Sequence, residues 1–374
     1  MQEIPLKSIP KNNYEWMNNF RGAAALFICI HHWFARLYDD IGISFIDTPI
    51  HWFTQATGSV VQLFFVLSGA GLVVSYFKKP VMWSDWAKKR FIKIIIPYWV
   101  VVCFTFFLTQ LLHHLSPAFF SQVYFMKDLG VYIFLLQNFI PMPFYMVSSL
   151  WYIPNIIGLY FVFPLILKFN NKFGTISMLL VSFVVSIGST ALVIMFGGNP
   201  EHHKSVFLFF VFLFALGMVL GQKSTYDQNF LQKISSFKAA IIGLLFYFAS
   251  WALQQYYSNG SYFNNALTVL GLLPIGLCFF RVTGNSIITR IFQKISKCSY
   301  YFYLIHVPIL IYIIKPIAKF YMDKFIYHIL FFICGIVFVL FIYFLSKWLT
   351  NTTNFMVSLA KQQIVPKTNI VTTK

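Results

Sequence analysis

An arginine and two adjacent histidines stand inside one apolar stretch near the start of the chain, RGAAALFICIHHWF, residues 21 to 34. Arg21 and His32 are eleven positions apart. At about 100° per residue this is close to three full turns, so on a helix they share a face, about 16 Å apart along the axis. His31 points about 100° away, which argues against a metal held by the histidine pair. An imidazole near the middle of a membrane-spanning helix is costly to place, and its default reading is functional. Imidazole titrates near neutrality, which suits His32 to general-base work on a hydroxyl. The competing reading is a hydrogen-bonded core histidine. Arg21 lies near the helix start, where it either snorkels to the membrane surface or supports the same site.

Other stretches hold further candidates. QLFFVLSGAGLVVSYFKK, residues 62 to 79, puts four small residues in a row, Ser68 to Gly71. They serve either close helix packing or room for a slim ligand. WAKKRFIKIIIPYW, residues 86 to 99, is the densest basic cluster. Arg90 and Lys93 are three apart and expected to face the same way, as a phosphate grip or as a cytoplasmic anchor. SSLWYIPNIIGLYFVFP, residues 148 to 164, opens with Trp151 among aromatic anchors, and SKCSYYFYLIHVPIL, residues 296 to 310, places His306 beside Tyr300, Tyr301 and Tyr303. His306 reads first as a core histidine and second as a functional one; Pro308 after it frees a backbone carbonyl. The pairs His113 with His114 and His202 with His203 have no carboxylate or thiol neighbours, so no metal site is expected. No Walker A, GxSxG or HExxH pattern occurs, which leaves any catalysis to the membrane domain.

The elements that must position these residues follow from composition. Of 374 residues, 59% are hydrophobic and only 10% charged, with 46 Phe, a balance that fits a polytopic membrane protein and not a set of soluble domains. Apolar runs of about twenty residues recur, each long enough to cross roughly 30 Å of hydrocarbon as a helix. They predict an all-α bundle with ten transmembrane helices, near 16–37, 59–77, 94–113, 150–167, 175–197, 205–221, 239–256, 264–280, 299–317 and 326–349. The run from Leu129 to Pro141 is too short and ends among prolines, so it reads as re-entrant or interfacial. Residues 1–350 form the membrane domain, and the polar tail 351–374 reads as disordered. The polar start of the chain shows no removable signal peptide.

Charge tests the topology independently. With both termini in the cytoplasm, most of the 28 Lys and Arg fall in inner loops, leaving Arg36, Lys127, Lys204, Lys315, Lys319 and Lys324 outside. The net charge of +18 is therefore explained by topology and contact with anionic lipids, without nucleic acid. The five cysteines lie in or beside apolar segments without CxxC spacing and read as packing residues.

Four stretches in order resemble the acyltransferase 3 family of integral-membrane O-acyltransferases, which modify bacterial surface polysaccharides and related sugars. Arg21 and His32 match the family's Arg-x10-His signature. LFFVLSGAGLV is similar to its FFxLSGF segment, KRFIKIIIPYW to RRFLRIxPPYW, and SYYFYLIHVP to SYxxYLxHxP. The resemblance implies a bacterial inner-membrane enzyme with no permanently bound cofactor, acetyl-coenzyme A as acyl donor on the cytoplasmic side, and a saccharide hydroxyl as acceptor. It implies catalysis by His32 with support from Arg21, donor binding by Arg90 and Lys93 in place of the family's RxxR pair, and a site lined by residues such as Ser68, Gly69, Trp151, Tyr303 and His306.

The chain also departs from the pattern. Lys93 replaces an arginine and loses its bidentate fork. Ile96 stands where the first of two prolines is common, Ala70 where the phenylalanine of SGF would be, and Asn155 to Ile157 where many members carry a glutamate after LWxLS. No appended SGNH-type domain is expected. A transporter of a lipid-linked sugar or acylated small molecule is the alternative, disfavoured because coupled transporters use intramembrane carboxylates and this chain has almost none.

Overall fold

The computed structural model describes residues 14–37, 56–78, 83–117, 120, 124–140, 146–196, 206–257, 259–317 and 324–364. Among these the chain is all helix, without strands. In order run α1 (Glu15–Leu37), α2 (Val61–Lys78), α3 (Trp83–Leu115), the short α4 (Met126–Ile133), α5 (Tyr152–Phe173), α6 (Thr175–Met195), α7 (Val211–Tyr226) and the short α8 (Gln228–Ile234). Then follow α9 (Phe237–Tyr256), α10 (Asn265–Thr283), α11 (Ile287–Ser296), α12 (Ser299–Ile309) and α13 (Lys324–Ile364). Single 3-10 turns, Ser148–Trp151 and Phe207–Phe210, lead into α5 and α7.

Among the described residues nine helices carry a stretch long and apolar enough to cross a membrane: α2, α3, α5, α6, α7, α9, α10, α12 and α13. Helix α1, at 23 residues, is as long as these, about 34 Å. Asn18, Asn19, Arg21, His31 and His32 lower its hydropathy, so the same residues that make it a weaker lipid span make it a candidate for chemistry. Large apolar side chains such as Phe107, Phe161, Leu165, Val184, Leu245 and Phe344 are exposed around the bundle, the surface that hydrocarbon would cover.

The described part of the run from Leu129 carries no helix long enough to cross a membrane. Helix α4 covers only eight residues and stops at Ile133; the chain then turns through Leu135, whose φ of 60° is incompatible with a continuing helix. The YW pair that follows Pro97 holds this piece in place. Tyr98 donates to the Tyr132 carbonyl at 2.7 Å and Trp99 to that of Ile133 at 2.9 Å.

The tail corrects one expectation. Helix α13 continues to Ile364, so residues 351–364 are its last turns and not a disordered segment. From Ile336 to Val365 the sequence contains no Gly or Pro to stop a helix, and Tyr301 of α12 hydrogen-bonds to Thr353 at 2.5 Å. Residues 365–374 lie outside the described residues, as do His202, His203, Lys204 and Lys319.

Helix α1 runs through the middle of the bundle and touches α2, α10, α11, α12 and α13. Trp16, Phe20, Ala24, Ala25, Ile28, Cys29 and Trp33 on it are buried. The small-residue row of α2 has two separate uses. A Cβ at Gly69 would strike the Phe214 carbonyl of α7, and one at Gly217 of α7 would strike the Val66 carbonyl of α2, so this pair sets the close approach of the two helices. Gly71 faces α1 instead, where a Cβ would stand 2.7 Å from the Arg21 guanidinium. All five cysteines are free thiols.

Candidate active site

Helix α1 presents His32 to α12, and there it meets His306. His306 Nε2 is 3.2 Å from His32 Nδ1, with ring centroids 5.0 Å apart. The remaining contacts assign the protons. His32 Nδ1 is 2.9 Å from the Ile28 carbonyl, an acceptor only, so this nitrogen carries the proton. His306 Nδ1 is 3.1 Å from the Phe302 carbonyl and is protonated for the same reason, which leaves its Nε2 lone pair to accept from His32 Nδ1–H. The pair thus leaves His32 Nε2 unprotonated and uncommitted. Pro308 lies two residues beyond His306 and is followed by a π turn, Leu310–Ile314, a local irregularity common beside functional groups.

His31 and His32 both line a cavity of about 380 Å³ at the C-terminal half of α1. Its wall includes Gln62, Ser149, Trp151, Asn264, Asn265 and Tyr303. Tyr303 donates to the Ser149 carbonyl, and its ring stands 6.0 Å from that of His306. Arg36, one turn beyond His32, donates to Ser148 Oγ at 3.0 Å and ties α1 to the start of α5. His31 stands edge-on to His32 with centroids 5.0 Å apart. It therefore belongs to the cavity wall while pointing away from the Arg21 face.

A second cavity, of about 250 Å³, lies where α3 passes α5 and is lined by Ala87, Lys88, Arg90, Phe91, Ile157, Tyr160 and Phe161. Arg90 is half-buried, whereas Lys93 is exposed and absent from the lining. Three residues along a helix leave an offset of about 60°, enough to turn one cation into the groove and the other out of it. Lys88 takes the second cationic position in the wall.

Tyrosines and Ser68 connect the two cavities. Tyr152 hydrogen-bonds to Ser68 at 2.9 Å and reaches the Phe64 carbonyl at 3.3 Å. Its ring packs 5.6 Å from that of Tyr303, which lines the first cavity. Tyr160, in the wall of the second cavity, also hydrogen-bonds to Ser68. Arg21 lies within electrostatic reach of Tyr152, Tyr160 and Arg90. Arg21 thus faces the Arg90 end of this polar seam and His32 the other end.

The sequence model of the acyltransferase 3 family, described as an acyltransferase domain, matches residues 14–348. The chain belongs to that family. No curated protein and no solved structure matches it. With its apolar helices, the protein is a multi-pass membrane acyltransferase.

Among the residues of this acyltransferase singled out from sequence, His32, Trp151 and Tyr303 line one cavity with His306 buried against His32, Arg21 and Ser68 lie on the seam, and Arg90 lines the second cavity. Gly69 lies in the helix contact and Lys93 on the surface. Asn155, where many members carry a carboxylate, is buried and donates to the Trp151 carbonyl at 3.1 Å. Sequence reasoning passed over Tyr152, Tyr160, Gln62, Asn264 and Asn265. Both tyrosines sit in a stretch noticed only for its aromatic anchors, and no local pattern marks Gln62 as the neighbour of Asn265, 203 positions away.

Proposed function

We propose that this acyltransferase moves an acetyl group from cytoplasmic acetyl-coenzyme A to a hydroxyl of a cell-surface glycan or lipid-linked saccharide in the bacterial cytoplasmic membrane, with His32 as general base. The observation that carries this reading is the His32–His306 contact, which leaves one imidazole nitrogen bare in a cavity joined by a polar seam to a second, cation-lined cavity. The Arg90 cavity takes the coenzyme A phosphates, with Lys88 beside it. The slender pantetheine arm follows Arg21, Tyr160 and Ser68, and the thioester arrives beside His32. Arg21 and His32 are separated by about 16 Å along α1, a span for a flexible chain and not for a nucleotide.

In the transfer, His32 Nε2 accepts the proton of the acceptor hydroxyl as the oxygen attacks the thioester carbonyl carbon. The carbon–sulfur bond then breaks, and His32 returns the proton to the departing thiolate. His306 holds the imidazole in the tautomer this requires and accepts a stronger hydrogen bond from Nδ1–H once the ring is cationic. The test is mass spectrometry of surface glycans from cells with and without the gene. Loss of a 42 Da O-acetyl increment on deletion, restored by the wild-type gene, is the expected result under the acetyl mass difference; unchanged O-acetyl content contradicts the reading.

A further inference from the structure

Helix α11 joins α10 to α12 and is ten residues long, about 15 Å, half of what a membrane crossing needs. Its side chains divide into three faces. Thr289, Phe292 and Ile295, spaced by three, are buried. The Phe292 ring stands edge-on to Phe280 of α10 and 6.3 Å from Phe27 of α1, and its carbonyl lies so close to Gly22 of α1 that a Cβ there would collide with it. A second face holds Ile287, Ile288 and Ile291, which are 63%, 45% and 44% exposed. The third holds Arg290, Lys294 and, at the C-cap, Lys297, at i, i+4 and i+7 and all exposed.

A helix in water gains nothing from three exposed isoleucines, and a helix in hydrocarbon does not carry three cations beside them. The two faces side by side suit the boundary of a bilayer, where acyl chains cover one and headgroups meet the other. The sign of the headgroup follows from the neighbours. Helices α9 to α13 contain no Asp or Glu, and α1, against which α11 packs, has only Glu15 in its first turn. Lys347 of α13, within electrostatic reach of Cys298, adds a fourth cation beside Lys297. Counter-charge therefore comes from outside this part of the chain. A soluble anion would supply the charge and leave the isoleucines in water; an anionic phospholipid supplies the charge and the apolar cover together.

We infer that α11 is a lipid-binding element: its isoleucines enter the edge of the acyl-chain layer, and Arg290, Lys294 and Lys297 hold anionic phospholipid headgroups in the leaflet at the Arg21 end of α1. Its buried face packs on α1 at Gly22, next to Arg21, so the lipid that holds α11 also holds the support of the site's central helix. The inference stands apart from acyl transfer, since it concerns binding alone.

The experiment is hydrogen exchange of the α11 amides, followed by mass spectrometry, on the full chain in nanodiscs of phosphatidylcholine alone or mixed with phosphatidylglycerol. Exchange is at least about fivefold slower in the mixed discs, the worth of one basic residue at an anionic surface. The combined variant Arg290→Gln, Lys294→Gln and Lys297→Gln loses that difference, whereas Lys168→Gln with Lys172→Gln, on α5, keeps it. Salt at about 1 M removes most of the difference in the wild type, because charges are then screened beyond about 3 Å, and this arm needs no substitution. Ile287→Ser with Ile291→Ser speeds exchange in both kinds of disc. Equal exchange of the wild type in the two discs, a difference that survives the triple substitution or the salt, or unchanged exchange in the isoleucine variant overturns the inference. So does full protection in phosphatidylcholine discs on addition of inorganic phosphate, which would mark a site for a soluble anion.

Discussion

His306 Nε2 lies 3.2 Å from His32 Nδ1 although 274 positions separate the two residues. The contact joins α1 to α12 and fixes which nitrogen of His32 is bare. Both imidazoles are also tied to the carbonyls four residues before them, so neither ring is free to choose another tautomer without losing a hydrogen bond.

That arrangement predicts a positioning role for His306. His306→Phe should lower kcat by about tenfold or more, the worth of one buried hydrogen bond, with little change in the KM for acetyl-coenzyme A. His306→Gln, which can still offer an oxygen to His32 Nδ1–H, should recover part of kcat. Equal loss in both variants would point to packing alone.

Gly69 and Gly71 should separate packing from chemistry although only one residue lies between them. Gly69→Val drives a side chain into the Phe214 backbone of α7 and should lower thermal stability by about 1–3 kcal/mol. Gly71→Val meets the movable Arg21 guanidinium, so the protein should accumulate and melt near the wild-type temperature while transfer activity falls. Measured melting temperatures and rates check both halves.

The donor cavity makes a graded prediction for the basic cluster. Arg90→Ala and Lys88→Ala should raise the KM for acetyl-coenzyme A about tenfold or more, the worth of one charge-assisted hydrogen bond, and weaken its salt dependence. Lys93→Ala should change it less, because that ammonium is exposed outside the cavity. An effect of Lys93→Ala larger than that of Arg90→Ala would place the phosphates elsewhere.

What was legible in the sequence was what local pattern encodes. Hydropathy located the helices, and the spacing of Arg21 and His32 put both on one face, because a helix repeats at a fixed angle. The short run after Leu129 was also legible from its length. The partnership of His32 with His306, the space Gly71 leaves for Arg21 and the Gln62–Asn265 pair were not, since each joins helices far apart in the chain. Lys93 was misplaced relative to Arg90 because an offset of about 60° decides nothing until a neighbouring helix is present. The tail from Asn351 was read from its polarity, whereas a helix already running needs a breaker to stop, and none occurs before Pro366.

The central claim is that His32 performs the proton transfer. Its most direct test is acetyl transfer by purified His32→Ala in nanodiscs, measured as acetylated octyl glycoside and free coenzyme A, beside wild type and His31→Ala. The account predicts that His32→Ala loses at least about a hundredfold in kcat, the usual scale for a general base, while still binding acetyl-coenzyme A, and that His31→Ala retains more activity. Transfer by His32→Ala at the wild-type rate would contradict it.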